Sequence, residues 1–390
     1  MRIGLFTHVY PPLVNGVAVS VKTLEDHLTK MGHDVFVITN NYDGLHNDFT
    51  NKKQLQLLSI PIFYQNLRVP VIMNSELFKN LKDLKLDVLH NHSDFGIGII
   101  SKIYSQLSSI PHIQTYHCNY FEYAKENFGN VIANICKYPI KLHANYILNC
   151  ADRIISPSQE NFRLLREDYN IKREIDLIPN GIELEKFKKI NEQDLNNLRN
   201  KLGLKPTDFV LLSLSRLSKE KRIDDIIKLI PQLKECKNLK LVIVGGGPET
   251  EKLKALARSI GLDNVIFTGE VQNELVPLYY NLASVFVTNS IAETQGLTVI
   301  ESLASGIPVV CVNSPIYSNI IEKDKNGFLF SDDMELVKLI KSLYANQDLL
   351  LNMKEFTLLS ASKYSITNTA REIVNLYSEE IISKKIDRRK

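Results

Sequence analysis

Short apolar, β-branched runs alternate along the chain with longer stretches whose apolar positions recur at helical spacing. Residues 3–7, 34–39, 88–91, 112–115 and 154–156 read as strands, and 17–30, 95–106 and 160–167 as the helices between or after them. That alternation predicts βαβ units around a parallel sheet. A second series follows the same rule: strands at 209–213, 240–244, 265–268, 285–288 and 309–312, helices at 223–233, 249–260, 275–283 and 298–305. The pattern therefore predicts an α/β chain of two Rossmann-like, doubly wound domains in tandem. Between the series lie the turn signal Ile178-Pro179-Asn180-Gly181 and a charged stretch, 183–200, with few large apolar residues. The expected division is a first domain over 1–190, a second over 191–366, and a closing helix with a basic tail over 367–390. In that helix Ile373, Val374, Leu376, Tyr377, Ile381 and Ile382 stand at helical spacing.

Composition narrows the class. The 390 residues are 44% apolar and 23% charged, which excludes disordered, collagen-like and coiled-coil chains. Net charge is only +3, and residues 384–390 alone hold five cations against one acid. The rest of the chain has no basic excess, so a broad nucleic-acid-binding face is excluded. Cys118, Cys136, Cys150, Cys236 and Cys311 form an odd set with no C-x-x-C pair, against a disulfide framework or a zinc ribbon. The cytosol is the expected compartment. The opening apolar run breaks at Pro11-Pro12, too early for a signal peptide, and no stretch of about 18 apolar residues occurs.

In open α/β sheets ligands bind beyond the carboxyl ends of the strands, so the chemistry is sought in those loops. Two such domains facing across a cleft would each supply half a site. After the first strand, Asn15-Gly16 precedes a helix whose N–H groups could meet an anion. After the strand at 209–213 comes Ser215-Arg216-Leu217-Ser218-Lys219-Glu220-Lys221-Arg222, a tight basic turn into a helix. Helix starts disfavour cations, so several at one such turn suggest an anion such as a diphosphate. Gly245-Gly246-Gly247 fails the G-x-G-x-x-G pattern because position 250 is Thr, and no G-x-x-x-x-G-K-[ST] occurs; NAD binding and P-loop chemistry are both disfavoured.

The most specific stretch is Glu293-Thr294-Gln295-Gly296-Leu297-Thr298, followed by Glu301 one turn into a helix. A loop carboxylate can accept sugar hydroxyls, free amides at Gly296 to Thr298 can hold phosphate, and a second carboxylate can reach a ribose diol.

With these residues in hand, the chain resembles the retaining glycosyltransferases of the GT-B fold, the glycogen-synthase-like family 4. Glu293 and Glu301 match its E-x7-E pattern and Arg216 and Lys221 its R-x4-K pair. Gly16, Thr115-Tyr116-His117, Ser156-Pro157-Ser158 and Ile178-Pro179-Asn180-Gly181 fall in its order. The resemblance implies a closing helix that packs back on the first domain and a nucleotide-sugar donor, with UDP-glucose expected. It also implies retention of configuration, no cofactor and no catalytic metal. It implies that Arg216 and Lys221 clamp the diphosphate with the backbone of Gly16, Gly296, Leu297 and Thr298. Glu301 would then hold the ribose, Glu293 the region of the sugar 3-hydroxyl, and His117 the sugar 6-hydroxyl or the reaction face. His117, Glu293, Arg216 and Lys221 form the expected catalytic set, and the two glutamates are not an acid and nucleophile pair as in hydrolases.

Within that family the chain is most similar to bacterial diacylglycerol α-glucosyltransferases, which implies a membrane-lipid hydroxyl as acceptor. It departs from their T-Y-H-T-x-Y-E-D-Y stretch at Cys118 and at Phe121-Glu122-Tyr123. His92, Asp94, Tyr120 and Glu122 are the candidate acceptor contacts. The expected place is the inner face of the cell membrane, held peripherally through the apolar and basic segment 62–86 and the basic tail. A helix packed on the sheet explains the stripe in 62–86 equally well. A soluble or polymer acceptor and a non-catalytic scaffold subunit remain as alternative readings.

Overall fold

The computed structural model describes residues 1–390 except 14, 43–46, 62–67, 72–73, 95, 118–119, 189 and 388–390; at 122–123 and 126–128 it describes the backbone alone. By contact the chain forms two units. The first comprises Met1–Phe121, Ala133–Ile182 and Ile366–Lys390, the second Glu122–Ile132 and Glu183–Ser365.

The first unit contains strands β1 (Arg2–Phe6), β2 (Asp34–Asn40), β3 (Gln54–Leu57), β4 (Ser59–Pro61), β5 (Arg68–Pro70), β6 (Val88–Asn91), β7 (His112–Thr115), β8 (Arg153–Ser156) and β9 (Ile175–Leu177). Seven of them form one parallel sheet in the order β3-β2-β1-β6-β7-β8-β9, while β4 and β5 make a small antiparallel pair. Order reverses between β1 and β6, which opens a crevice at their carboxyl ends. Helix α1 (Gly16–Lys30) is capped by Asn15, whose side chain accepts from the Ala18 amide at 2.9 Å. Its Val21, Leu24 and Leu28 pack with Ile3 and Leu5 of β1 on one face of the sheet. On the other face Phe6, Phe36 and Ile38 meet α2 (Ser75–Asp83) and α3 (Ile97–Ser108). Both faces are covered, as parallel sheets require.

Within 62–86, Leu77, Leu81, Leu84 and Leu86 lie in the core with Phe6 and Leu89, so the apolar stripe of α2 and the residues after it packs on the sheet. Residues 62–67 and 72–73 lie outside the described residues, as do Arg388, Arg389 and Lys390 of the basic tail. Lys384 pairs with Asp152 at 2.8 Å.

The closing helix spans Ile366–Asp387 and buries Ile366, Ala370, Ile373, Leu376 and Tyr377 against α1 and β1. It meets the turn that the sequence marked. A Cβ on Gly181 would stand 2.5 Å from the Ile366 Cα, and the Thr369 hydroxyl donates to the Pro179 carbonyl at 2.9 Å. Arg153 ties the same helix to the sheet edge, 2.6 Å from Asp176 and 3.4 Å from Glu380.

The second unit holds β10 (Phe209–Leu214), β11 (Leu239–Val244), β12 (Val265–Gly269), β13 (Val285–Thr288), β14 (Val309–Val312) and β15 (Gly327–Phe330), all parallel in the order β12-β11-β10-β13-β14-β15. The charged stretch 183–200 is helical here, at Leu184–Lys188 and Glu192–Lys201. Asn191 caps the second helix, acids fill its first turn and bases its last, and only Leu195 and Leu198 are buried. Capping and dipole pairing make that helix, with an apolar stripe too thin to read as a period.

Gly181→Ala should lower the stability of the chain by about 1–3 kcal/mol, because the new methyl meets helix backbone that cannot swing away. Thermal unfolding of the two proteins side by side would show it as a reduced Tm; equal values would mean that the turn and helix separate without cost.

Candidate functional site

In the second unit three loops form the site. The loop after β10 carries Arg216, which is exposed, and leads into the short turn Lys219–Lys221. It is held in place by the glycine triplet that follows β11. A Cβ on Gly245 would fall 1.9 Å from the Ser215 carbonyl oxygen, and one on Gly247 2.4 Å from that of Leu217. The Leu217 amide donates to the Gly246 carbonyl at 2.9 Å, and the Glu249 amide to Leu217 at 3.0 Å. The triplet that fails as a dinucleotide fingerprint is thus the bed on which the Arg216 loop lies.

Beyond β13, Glu293 accepts from Lys221 Nζ at 2.5 Å and from the Ser290 hydroxyl at 3.0 Å. Both partners of the ion pair are largely covered, 18% and 20% exposed, so their attraction is screened less than on an open surface. Arg222, the third cation of the turn, is committed to Asp225 at 3.0 Å. Gly296 has φ +74° and starts the helix Leu297–Ala304; a Cβ there would also stand 2.9 Å from the Tyr317 ring. Glycine alone adopts that left-handed backbone readily, and the helix it starts leaves its first amides without carbonyl partners inside the helix. One turn on, Glu301 Oε2 accepts from the Tyr280 hydroxyl at 2.9 Å, which also lies 3.0 Å from the Thr298 carbonyl. Burial pushes the Glu301 carboxyl up to about 7, the Tyr280 hydrogen bond opposing it.

In the first unit the site residues gather at the carboxyl ends of β6 and β7. His92 Nδ1 lies 2.9 Å from His117 Nε2 with the rings stacked at 5.2 Å. The His90 ring sits 4.0 Å from that of His92 and is itself anchored on both nitrogens, by Tyr377 at 2.6 Å and Thr115 at 2.7 Å. A cavity of about 20 Å³ lined by His90, His92, Thr115 and Thr369 lies alongside, large enough for one water. His92 Nε2 and His8 Nδ1 have no hydrogen-bond partner among the described residues. Burial lowers the whole group: His117 to about 3, His8 to about 4, and His90 and His92 well below the ordinary value, neighbouring imidazoles adding to the effect. At neutral pH these rings are uncharged and act as hydrogen-bond donors and acceptors.

Asp94 is buried, with Tyr120 donating to it at 2.8 Å and Gln114 at 3.2 Å. Burial pushes its carboxyl up to about 7, the Tyr120 bond opposing. Its carbonyl meets His143 Nε2 at 2.7 Å, on α4 (Tyr120–Leu148), two helical stretches joined at Gly129, where φ is +82°. Gly16 opens α1 at an exposed position. The Glu122 side chain lies outside the described residues.

The structure therefore brings together Lys221 with Glu293, His92 with His117, and Asp94 with Tyr120. It adds partners to which the sequence reading gave no part in the site: Tyr280 on Glu301, Ser290 on Glu293, Tyr317 behind Gly296, and Tyr377 on His90. Only Ser290, three positions before Glu293, carried a local signal.

Comparison with known proteins follows the same lines. The family model described as Glycosyltransferase Family 4 matches residues 14–186, and that described as Glycosyl transferases group 1 matches 194–358. The chain is 36% identical over 391 residues to an alpha-monoglucosyldiacylglycerol synthase of Streptococcus pneumoniae, covering 98% of this chain and 87% of that one. It is 30% identical over 400 residues to a protein of the same name from Acholeplasma laidlawii, covering 98% of each. In fold it is similar to the sucrose-phosphate synthase of Thermosynechococcus elongatus, with TM-score 0.78, 20% identity, and 98% and 99% of the two chains covered.

The buried imidazoles set a pH dependence. Each has a folded pKa below its unfolded value of 6.5, so its contribution is present above about 6.5 and is lost as pH falls toward 3–4. Asp94 and Glu301 act oppositely, losing stability as pH rises through about 7. The histidines outnumber them, so the urea midpoint should fall steadily from pH 6.5 to 4.5, and His92→Gln should flatten the slope. A midpoint indifferent to pH over that window would mean that the rings are hydrated.

Proposed function

The chain belongs to glycosyltransferase family 4, with the two Rossmann-like domains of the GT-B fold, and on that premise we propose that it transfers glucose from UDP-glucose to the free hydroxyl of 1,2-diacylglycerol, giving an α-glucoside. The observation that carries the donor half is the second-unit arrangement in which Lys221 and Ser290 meet Glu293 beside the left-handed Gly296, with Glu301 one turn further on. The acceptor half is supported by the two relatives named for alpha-monoglucosyldiacylglycerol synthesis, similar along nearly the whole chain.

In this reading Arg216 and Lys221 neutralise the departing diphosphate, with the amides of Gly296, Leu297 and Thr298, and of Gly16, as further donors. Glu301 takes the ribose diol and Glu293 the sugar hydroxyls. Neutral His117 holds the sugar 6-hydroxyl, and His92, Asp94, Tyr120 and Glu122 receive the acceptor. The bond from C1 to the phosphate oxygen loosens toward an oxocarbenium-like state. The acceptor oxygen bonds C1 from the same face, and its proton passes to the leaving phosphate. No cofactor or metal enters this scheme. Among the described residues no helix is long and apolar enough to cross a membrane, and the proposed location is peripheral, on the inner face. The departures at Cys118 and Phe121-Glu122-Tyr123 favour, as second reading, the same donor chemistry on a soluble or polymer hydroxyl. The retained Glu293, Glu301, Arg216, Lys221 and His117 speak against a scaffold role.

Release of nucleoside diphosphate from a panel of nucleotide sugars, with and without diacylglycerol in mixed micelles, tests the proposal. Turnover of UDP-glucose only with lipid, yielding a glucolipid, is expected; turnover with another acceptor alone would transfer the assignment to the second reading. Lys221→Ala should weaken UDP binding about tenfold or more and lower turnover with unchanged circular dichroism; calorimetric titration giving an unchanged Kd would remove Lys221 from the clamp. His117→Ala should reduce kcat far more than UDP affinity, and equal losses would recast it as a packing residue.

A further inference from the structure

The leucines of α2 are turned into the core, and another helix presents an exposed apolar stripe. From residue 133 onward α4 has two opposite apolar faces. Ala133, Ala144, Ile147 and Leu148 are buried, with Ala144 and Leu148 packed around Tyr116. On the other side Ile135, Tyr138, Leu142 and Tyr146 stand 71%, 68%, 52% and 57% exposed. At about 100° per residue those four fall within about 80° of the helix circumference, and they run for about 17 Å along the axis. The four form one stripe, with Pro139 within its length, rather than scattered surface residues.

Its charge identifies what would cover it. Residues 133–148 include Lys137 and Lys141 and no Asp or Glu. A third cation, Lys102 of α3, holds its Nζ 3.4 Å from the centre of the Tyr146 ring. Lys141 stands about 60° around the helix from Tyr138, while Lys137 falls on the opposite side. A stripe of apolar and tyrosine side chains edged by Lys141 and Lys102, with no acid in this stretch, matches the boundary between acyl chains and anionic headgroups. The inner face of the same helix reaches the candidate acceptor residues, through His143 on the Asp94 carbonyl at 2.7 Å.

We propose that the outward ridge of α4, Ile135, Tyr138, Leu142 and Tyr146, is the surface by which the protein seats on an anionic lipid bilayer. This reading rests on the lipid acceptor proposed above and places membrane contact on the helix whose His143 meets the Asp94 carbonyl. The helix lies in the interface plane, its ridge among the upper acyl chains and Lys141 at the phosphates. A lipid substrate then needs to rise only to the carboxyl ends of β6 and β7.

The test uses the full chain and the triple variant Ile135→Ser/Tyr138→Ser/Leu142→Ser, whose side chains are exposed and outside the proposed catalytic and binding set. Co-sedimentation with vesicles of phosphatidylcholine containing about 30 mol% phosphatidylglycerol needs no donor, so it reads the ridge even if the transfer reaction is misassigned. The variant should bind at least about tenfold more weakly with an unchanged Tm, and the wild type should bind pure phosphatidylcholine vesicles less. Transfer to long-chain diacylglycerol in those vesicles should fall in parallel, while transfer to a monomeric short-chain diacylglycerol stays at the wild-type rate. Equal vesicle binding by the two proteins, or none by the wild type, would overturn the proposal. So would loss of both transfer activities together, which would mark the ridge as part of the fold. A wild-type dimer in sedimentation analysis that the variant abolishes, with vesicle binding unchanged, would assign the ridge to a second copy of the chain. Absence of transfer to either acceptor by the wild type, with the binding difference intact, would overturn only the acceptor reading.

Discussion

Every strand of the two large sheets runs in one direction, and most of the chemistry of the molecule depends on that constraint. Parallel pairing sends each connection back across a face of the sheet, so both faces are buried and each carboxyl edge collects its loops. Gly16, His92, Asp94 and His117 follow the ends of β1, β6 and β7; Arg216 follows β10 and Glu293 follows β13. Lys221 and Glu293, 72 positions apart, become neighbours because both follow strands at one carboxyl edge.

The same geometry explains the electrostatics. Loops at a carboxyl edge lie partly under neighbouring loops, so polar side chains there lose water without entering the apolar core. In the first unit the response is neutrality: uncharged imidazoles in hydrogen-bonded and stacked contact, and an Asp94 carboxyl pushed up to about 7. In the second unit Glu301 is pushed up in the same way, while Lys221 and Glu293 form an ion pair. The two edges differ in the residues that the loops supply and not in the sheets, which are built alike.

Much of this was legible in the sequence because it is local. Strands buried on both faces read as apolar runs, and β6, β7, β13 and β14 occur where those runs stand. Glu293, Gly296 and Glu301 share one loop and helix start, so their spacing carried the reading. Short edge strands such as β9 and β15 escaped notice because pairing on one side only demands little of the sequence. The partners of the site residues were invisible for a different reason: Tyr377 reaches His90 across 287 positions, and no spacing rule links them. The ridge on α4 was hidden by symmetry of pattern. A helix apolar on two opposite sides has no single hydrophobic direction, so periodicity does not say which side faces out.

The closing helix has a consequence in the order of synthesis. Its Ile373, Leu376 and Tyr377 complete the cluster around Ile3, Leu5 and Leu28, and nearly all of the second unit lies between them in the chain, at Glu183–Ser365. On the ribosome that long insertion is finished before the first unit possesses its last core residues. The N-terminal sheet emerges first yet closes last, with α1 and the His90 imidazole waiting for partners that are translated after the second sheet. For most of its synthesis the nascent chain exposes the surface that Tyr377 will cover.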